Sequence, residues 1–208
     1  MKLSLLHATR GRPQRTLEVR QEWLDKAIKP EDVEHIYGID SDDLDTAVAI
    51  GELPKVLAHP PKGCFAAYNA AAAASTGDML IPIEDDLHPQ QGWDEQVREA
   101  MADAINDIAV LAVADGQNAC IEWAFTRKFY EARGLYHPDY YGLFGDTEIR
   151  TRIREDGVQV VSAPHILFDH RQFQPGGSGS DPIYERKQGR YLDDELTYNK
   201  RQRDGWPQ

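Results

Sequence analysis

Residues 1–115 alternate between short apolar runs of strand length, each ending at a polar or charged residue, and stretches with helical spacing. The run at 2–7 turns at Thr9-Arg10-Gly11-Arg12-Pro13 and leads into Leu17, Trp23, Leu24 and Ala27, spaced along one face of a helix. Strand-like runs recur at 33–40, 55–60, 79–83 and 108–115. Between the later ones lie an alanine-rich helix after Gly63, with Gly77 as its expected C-terminal cap, and a helical pattern over 93–105. Strands that alternate with helices bury both faces of a sheet, which predicts an α/β layer fold with a mostly parallel sheet.

From Gly116 the alternation weakens into a β-prone "ACIEWAFT", a short helix over 127–133 and the aromatic loop "LYHPDYYGLFGD". A helix is expected to begin at Asp146 or Thr147, with Ile149 and Ile153 one turn apart and Gly157 beyond its end, before the strand "VQVVSAP". "RQFQPGGSGSDP" reads as a turn-rich, mobile segment. Residues 183–203 read as a polar helical tail pinned by Tyr191, Leu192, Leu196 and Tyr198. A chain of 208 residues suits one domain with a substantial core.

The net charge of -12 opposes indiscriminate attraction to nucleic acid or anionic lipid. A local basic strip is still available from Arg171, Arg186, Lys187, Arg190, Lys200, Arg201 and Arg203. No run has the length of a membrane span, and the N-terminal apolar stretch is broken too early for a signal peptide. Cys64 and Cys120, with no CxxC pair, indicate neither a disulfide framework nor a thiolate zinc site, so a reduced cytoplasmic setting is the expectation.

In such a sheet, ligands bind beyond the carboxyl ends of the strands, so the polar residues that end each run are the candidates. Glu84 and Asp86 flank one residue, offering two hard oxygen ligands suited to Mg²⁺ or Mn²⁺, or else forming only a solvated loop. Thr9-Arg10-Gly11-Arg12 can present guanidinium and backbone donors to phosphate, or can simply be a turn into a helix. Asp40 can accept from a base or a ribose, or cap the next turn. His165 and His170 bracket "HILFDH"; either can be a surface or core histidine, and His170 is the better placed as a third metal ligand beside the carboxylate cluster. Asp146 and Glu148 open a helix, where a carboxylate can act as a base or only as a cap and first-turn charge.

Taken in order, "LLHATRGRP", "YGIDSDD", "GCFAAYNAAAAASTGDMLIPIEDD", "QQGWD", "FGDTEIRTRI" and "ILFDH" resemble the GT-A glycosyltransferases of the family 2 type, over roughly residues 2–170. The resemblance implies a single α/β/α sandwich, with a nucleotide-sugar half at 1–115, an acceptor half at 116–170 and a tail at 171–208. It implies that Thr9, Arg10 and Arg12 lie along the nucleotide, that Asp40 meets its base, and that Glu84 lies near the ribose. Asp85 joins that binding set or else is merely solvated. Asp86 is implied as the direct ligand of Mn²⁺ or Mg²⁺, with His170 completing the site, and Asp146 as the base, with Glu148 its competitor. The motif departs from the family in opening with Glu84 where Asp is usual.

The activity so implied is inverting transfer of a sugar from a nucleoside-diphosphate donor, UDP-linked by expectation, to an acceptor hydroxyl. Small stand-alone members are also encoded by phages, which makes a 5-hydroxymethylpyrimidine in DNA one candidate acceptor beside a glycan or a small molecule. Trp123, Tyr136, Tyr140, Tyr141 and Phe144 can stack on a sugar or base, or belong to the core. The rival classes are a nucleotidyltransferase and a non-catalytic nucleotide-sugar-binding module.

Overall fold

The computed structural model describes residues 1–117, 121–171 and 181–207. The strands are β1 (Leu3–Thr9), β2 (Val33–Asp40), β3 (Lys55–Ala58), β4 (Met79–Ile83), β5 (Leu87–Pro89), β6 (Ala109–Ala114), β7 (Ile121–Thr126) and β8 (Gln159–His170). They lie in the order β3-β2-β1-β4-β7-β6-β8-β5. β1 is parallel to β2 and β4, β2 to β3, and β6 to β8, whereas β7 runs antiparallel between β4 and β6 and β5 antiparallel to β8. Two reversals through β7 leave β6 running with β4. The carboxyl ends of β1, β2, β4 and β6 therefore share one rim.

The helices are α1 (Pro13–Asp25), α2 (Leu44–Ile50), α3 (Cys64–Ala74), α4 (Trp93–Ala100), α5 (Arg127–Arg133), α6 (Gly145–Glu155), α7 (Pro182–Gln188) and α8 (Tyr191–Arg203). Alternation along each strand sends successive side chains to opposite faces. Leu3, Leu5, Ile81 and Ile83 thus meet α1 and α4 on one face, where Trp23 packs edge-on against Trp93 and Phe168 with ring centroids 4.8 and 5.1 Å apart. Leu6, Ala8 and Leu80 turn to the other face with Tyr68, Ala71, Phe125 and Ile149. There α3 approaches β2 so closely that a Cβ on Gly38 would stand 2.1 Å from the Ala67 carbonyl oxygen. A glycine in the strand opposite alanines in the helix is what permits that distance.

This architecture is the expected α/β/α sandwich with a mostly parallel sheet. Local departures have tertiary causes. Gly77 does not cap α3, which ends at an extended Ser75; it lies against β1, donating its N–H to Ser4 Oγ, where any Cβ would collide. α4 stops at Ala100 rather than continuing to 105. α2 and β5 have no counterpart in the sequence reading.

The tail is two helices, and its anchors are mostly polar. Leu192 and Leu196 are 69% and 68% exposed, so they do not pin it. Tyr191 and Tyr198 do pack against Phe144, but the buried Asp194 carboxylate also accepts the N–H groups of Tyr141, Gly142 and Leu143 at 2.8, 3.0 and 2.8 Å. Arg201 is buried and therefore no part of a basic surface strip. The greater part of the turn-rich "RQFQPGGSGSDP" segment, and Cys120, lie outside the described residues. Among the described residues no helix is long and apolar enough to cross a membrane.

Candidate functional site at the carboxyl rim of the sheet

Two adjoining cavities, of about 100 and about 260 Å³, open along the rim. Thr9, Arg10, Arg12, Asp40 and residues 84–86 line the smaller one. Asp115, Trp123, Tyr136, Asp146, Arg150 and His170 line the larger. Cys64, Tyr68, Glu84, Gly142 and Lys187 border both. The strand-terminal polar residues converge as the alternation of runs predicted.

The acidic turn between β4 and β5 divides its three carboxylates. Asp85 points inward and is 2% exposed, accepting from the hydroxyls of Thr9 at 3.0 Å and Thr16 at 2.5 Å, with His7 Nε2 at 3.0 Å. It is therefore not solvated: it ties the first loop and α1 to the acidic turn. Behind it, His7 Nδ1 lies 3.1 Å from His35 Nε2, and burial holds His35 well below the usual imidazole range. Arg12 Nη1 approaches Asp85 to 3.6 Å.

Glu84 and Asp86 face the cavities together with His170. Their ligand atoms lie within 4.8 Å of one another, with His170 Nε2 3.4 Å from Asp86 Oδ1 and 3.8 Å from Glu84 Oε2. What brings His170 there is β5, whose Leu87 pairs with His170 in the ladder, reinforced by bonds from His170 N–H to the Asp115 carbonyl and from Arg171 N–H to the Asp86 carbonyl, both 2.9 Å. The Asp86 carboxylate first, and Glu84 with it, raise the imidazole to about 9 against the opposing effect of burial. His170 Nε2 makes no aligned hydrogen bond within the described residues. Two carboxylates and an imidazole directed at one point form a donor set that fits Mn²⁺ or Mg²⁺. His165, in contrast, is exposed on β8 and stands apart from this cluster.

Asp40 does not cap the following helix; Asp43 does, accepting from Thr46 N–H at 3.3 Å. Asp40 instead accepts from Gly63 N–H at 3.1 Å and from Arg10 at 2.9 Å. Arg10 also bonds Asp42, and Arg12 holds Asp181 at 2.8 and 3.0 Å. Both guanidiniums of the first loop are thus oriented at the cavity edge by carboxylates.

Two residues apart in α6, Asp146 and Glu148 occupy opposite environments. α6 begins at Gly145 after a left-handed Phe144 that gives no side-chain cap, so Asp146 is not the N-cap. Its side chain is 46% exposed, borders the larger cavity, and pairs with Arg150 at 3.3 Å. Glu148 is buried against Arg201 and Tyr140. Of the aromatics, Trp123 and Tyr136 line the larger cavity and Tyr141 the smaller, whereas Tyr140 is core.

A family model described as Glycosyl transferase family 2 matches residues 15–173. The chain belongs to glycosyl transferase family 2. Among solved structures, this family 2 chain is similar to the mannosyltransferase PcManGT from Pyrobaculum calidifontis in complex with GDP-Man and Mn²⁺, with a TM-score of 0.67 and 16% identity over 96% of this chain and 64% of that one. It is likewise similar to residues 1–349 of S. aureus TarS in complex with UDP-GlcNAc, with a TM-score of 0.65 and 11% identity over 87% of this chain and 62% of that one. The chain therefore spans less than two thirds of the length of these two relatives. No curated protein sequence matches it.

Lys187, Tyr68 and Cys64, which border both cavities of this family 2 chain, were not singled out as site residues by sequence reasoning. Burial pushes the Cys64 thiol up to about 12, leaving it a neutral wall rather than a nucleophile. Tyr68 is fixed by donating its hydroxyl to the Ile83 carbonyl at 3.1 Å. Their contribution depends on how α3 and α7 lie over the sheet, which no local pattern records.

Proposed function

We propose that the protein is an inverting glycosyltransferase that moves a sugar from a nucleoside-diphosphate donor, UDP-linked by our reading, to an acceptor hydroxyl. The observation that carries this reading is the joining of two cavities at Glu84, with the acidic turn and first loop on one side and Asp146 on the other. Residues 1–115 supply the donor half, with Thr9, Arg10 and Arg12 along the nucleotide, Asp40 toward its base and Glu84 toward its ribose. Asp85 acts behind them by fixing Thr9 and α1. Residues 116–170 supply the acceptor half, and 171–208 are the tail.

Asp146 accepts the proton of the acceptor hydroxyl as the oxygen attacks the anomeric carbon from the face opposite the diphosphate. The new C–O bond forms while the bond to the diphosphate breaks, and its electron pair leaves on the phosphate oxygen. Asp86 and His170, with Glu84 beside them, would hold a divalent cation, which when bound would supply charge neutralisation to the leaving diphosphate. The larger cavity, lined in part by Trp123 and Tyr136, suits the face of a sugar or of an extruded base.

The reading is tested by incubating purified protein with Mn²⁺, a panel of nucleotide sugars, and acceptors that include hydroxymethylated DNA, glycans and small polyols. Release of nucleoside diphosphate with a sugar on the acceptor supports it, and the productive acceptor identifies its class. Release of pyrophosphate would identify a nucleotidyltransferase instead. Absence of any turnover with measurable nucleotide-sugar binding would identify a binding module.

A further inference from the structure

Lys187 stands where the two cavities meet, and among the described residues it is the member of α7 and α8 that lines both. Its helix is firmly seated. Asp181 caps α7 by accepting from Tyr184 N–H at 2.8 Å and simultaneously holds Arg12 of the first loop. Ile183 lies against Gly11, where an added Cβ would come within 3.0 Å of its Cδ1, and Arg186 covers the Tyr141 ring at 5.7 Å. Residues 183 and 187 are one helical turn apart, so the face that meets the first loop also carries Lys187 toward the rim. The stem of Lys187 crosses Gly142, where an added Cβ would stand 3.2 Å from its Cγ.

The ammonium makes no hydrogen bond or ion pair within the described residues, yet it sits in the field of Glu84, Asp86 and Asp146 and beside Cys64. Burial opposes its charge, and the neighbouring Cys64, then Glu84, Asp146 and Asp86, outweigh that effect and hold it above the usual lysine range. A cation surrounded by carboxylates but bonded to none of them is complementary to an anionic group placed between, and a lysine binds phosphate as a compact point charge.

We propose that Lys187 is a further substrate-binding residue, contacting the diphosphate of the donor from the C-terminal side of the site. This assignment rests on the donor-site reading above. Its place at the junction means that the charge accumulating on the departing diphosphate grows beside a cation already in position, as electrostatic preorganisation requires.

The test is calorimetric titration of the full chain, with Mn²⁺ present, using UDP, GDP, CDP, ADP and dTDP together with the matching nucleosides. Lys187→Met keeps the stem over Gly142 and removes the charge; Lys187→Arg keeps a charge; Lys200→Ala, on the exposed side of α8, is the control. For the diphosphate that wild type binds, Lys187→Met is expected to weaken affinity about tenfold or more, leaving affinity for its nucleoside unchanged. Lys187→Arg is expected to recover most of the loss, and Lys200→Ala to match wild type. Wild-type diphosphate affinity in Lys187→Met, or an equal loss for nucleoside and diphosphate, would overturn the assignment. Failure of wild type to bind any of the five diphosphates would overturn the donor-site reading itself.

Discussion

Glu148 and Arg201, 53 residues apart, form a buried two-point ion pair in which Arg201 Nε and Nη2 donate to the two carboxylate oxygens at 2.7 and 2.8 Å. The Tyr140 hydroxyl donates to the same carboxylate at 2.7 Å. The pair joins α8 to α6 and withdraws Glu148 from the cavity, leaving Asp146 as the acid of α6 that borders it.

Arg201→Met should therefore destabilise the fold by about 3 kcal/mol, because it strands a buried carboxylate. For a chain of this size that is a fall in Tm of roughly 6–12 °C. Burial pushes Glu148 upward, but its bonds with Arg201 and Tyr140 prevail and hold it below its ordinary value of 4.5. Because the folded value is the lower one, the stabilisation is complete above pH 4.5 and is lost as pH falls through the folded value. Denaturant melts of wild type and variant should differ at pH 7 and converge in acid.

Asp146→Asn should lower transfer by about 10²–10⁴-fold, the range for a lost general base, while melting as wild type does. Glu148→Gln should show the reverse balance, with stability lost first. Rates and melting curves measured on both variants separate the two roles, and full activity in Asp146→Asn would exclude it as the base.

Asp85 and Asp86 are neighbours with different work. Asp85→Ala leaves the buried His7, Thr9 and Thr16 without their shared partner, a loss of about 2–4 kcal/mol by the cost of stranded buried polar groups. Asp86→Asn should melt closer to wild type and lose metal-dependent activity. Circular dichroism melts beside activity assays check the contrast.

Mn²⁺ at a hundred times its dissociation constant should stabilise the wild type by about 2.7 kcal/mol, a shift that EDTA reverses. The shift should vanish in Asp86→Asn and in His170→Ala, whose ligand atoms belong to the cluster. A shift that persists in both would place the ion elsewhere.

What was legible in the sequence was the rim: β1 and β2 end at Thr9 and Asp40, and β4 and β6 run straight into Glu84 and Asp115. The late His170 was legible as a candidate third ligand for the carboxylate cluster, and the family resemblance matched it to the acidic motif. The physical link is β5, three residues in "LHP" that the sequence does not mark as a strand and that form one only because β8 arrives beside them. The resemblance divided the triplet at 84–86 between metal and ribose but left Asp85 between the binding set and solvent, since only its bonds to His7, Thr9 and Thr16 show that it is drawn inward. The tail misled for a related reason. Leu192 and Leu196 have anchor spacing, yet Asp194 and Arg201 supply buried contacts whose partners lie far away in sequence.

The central claim is that one rim holds a divalent cation and a nucleoside diphosphate together. Its most direct test is a crystal structure grown with Mn²⁺ and UDP or GDP, using anomalous scattering to locate the manganese. The account predicts an anomalous peak bonded to Asp86 and His170, with the diphosphate sharing that ion and the base lying toward Asp40. An ordered nucleotide bound away from residues 84–86, or manganese with neither Asp86 nor His170 among its ligands, would contradict it.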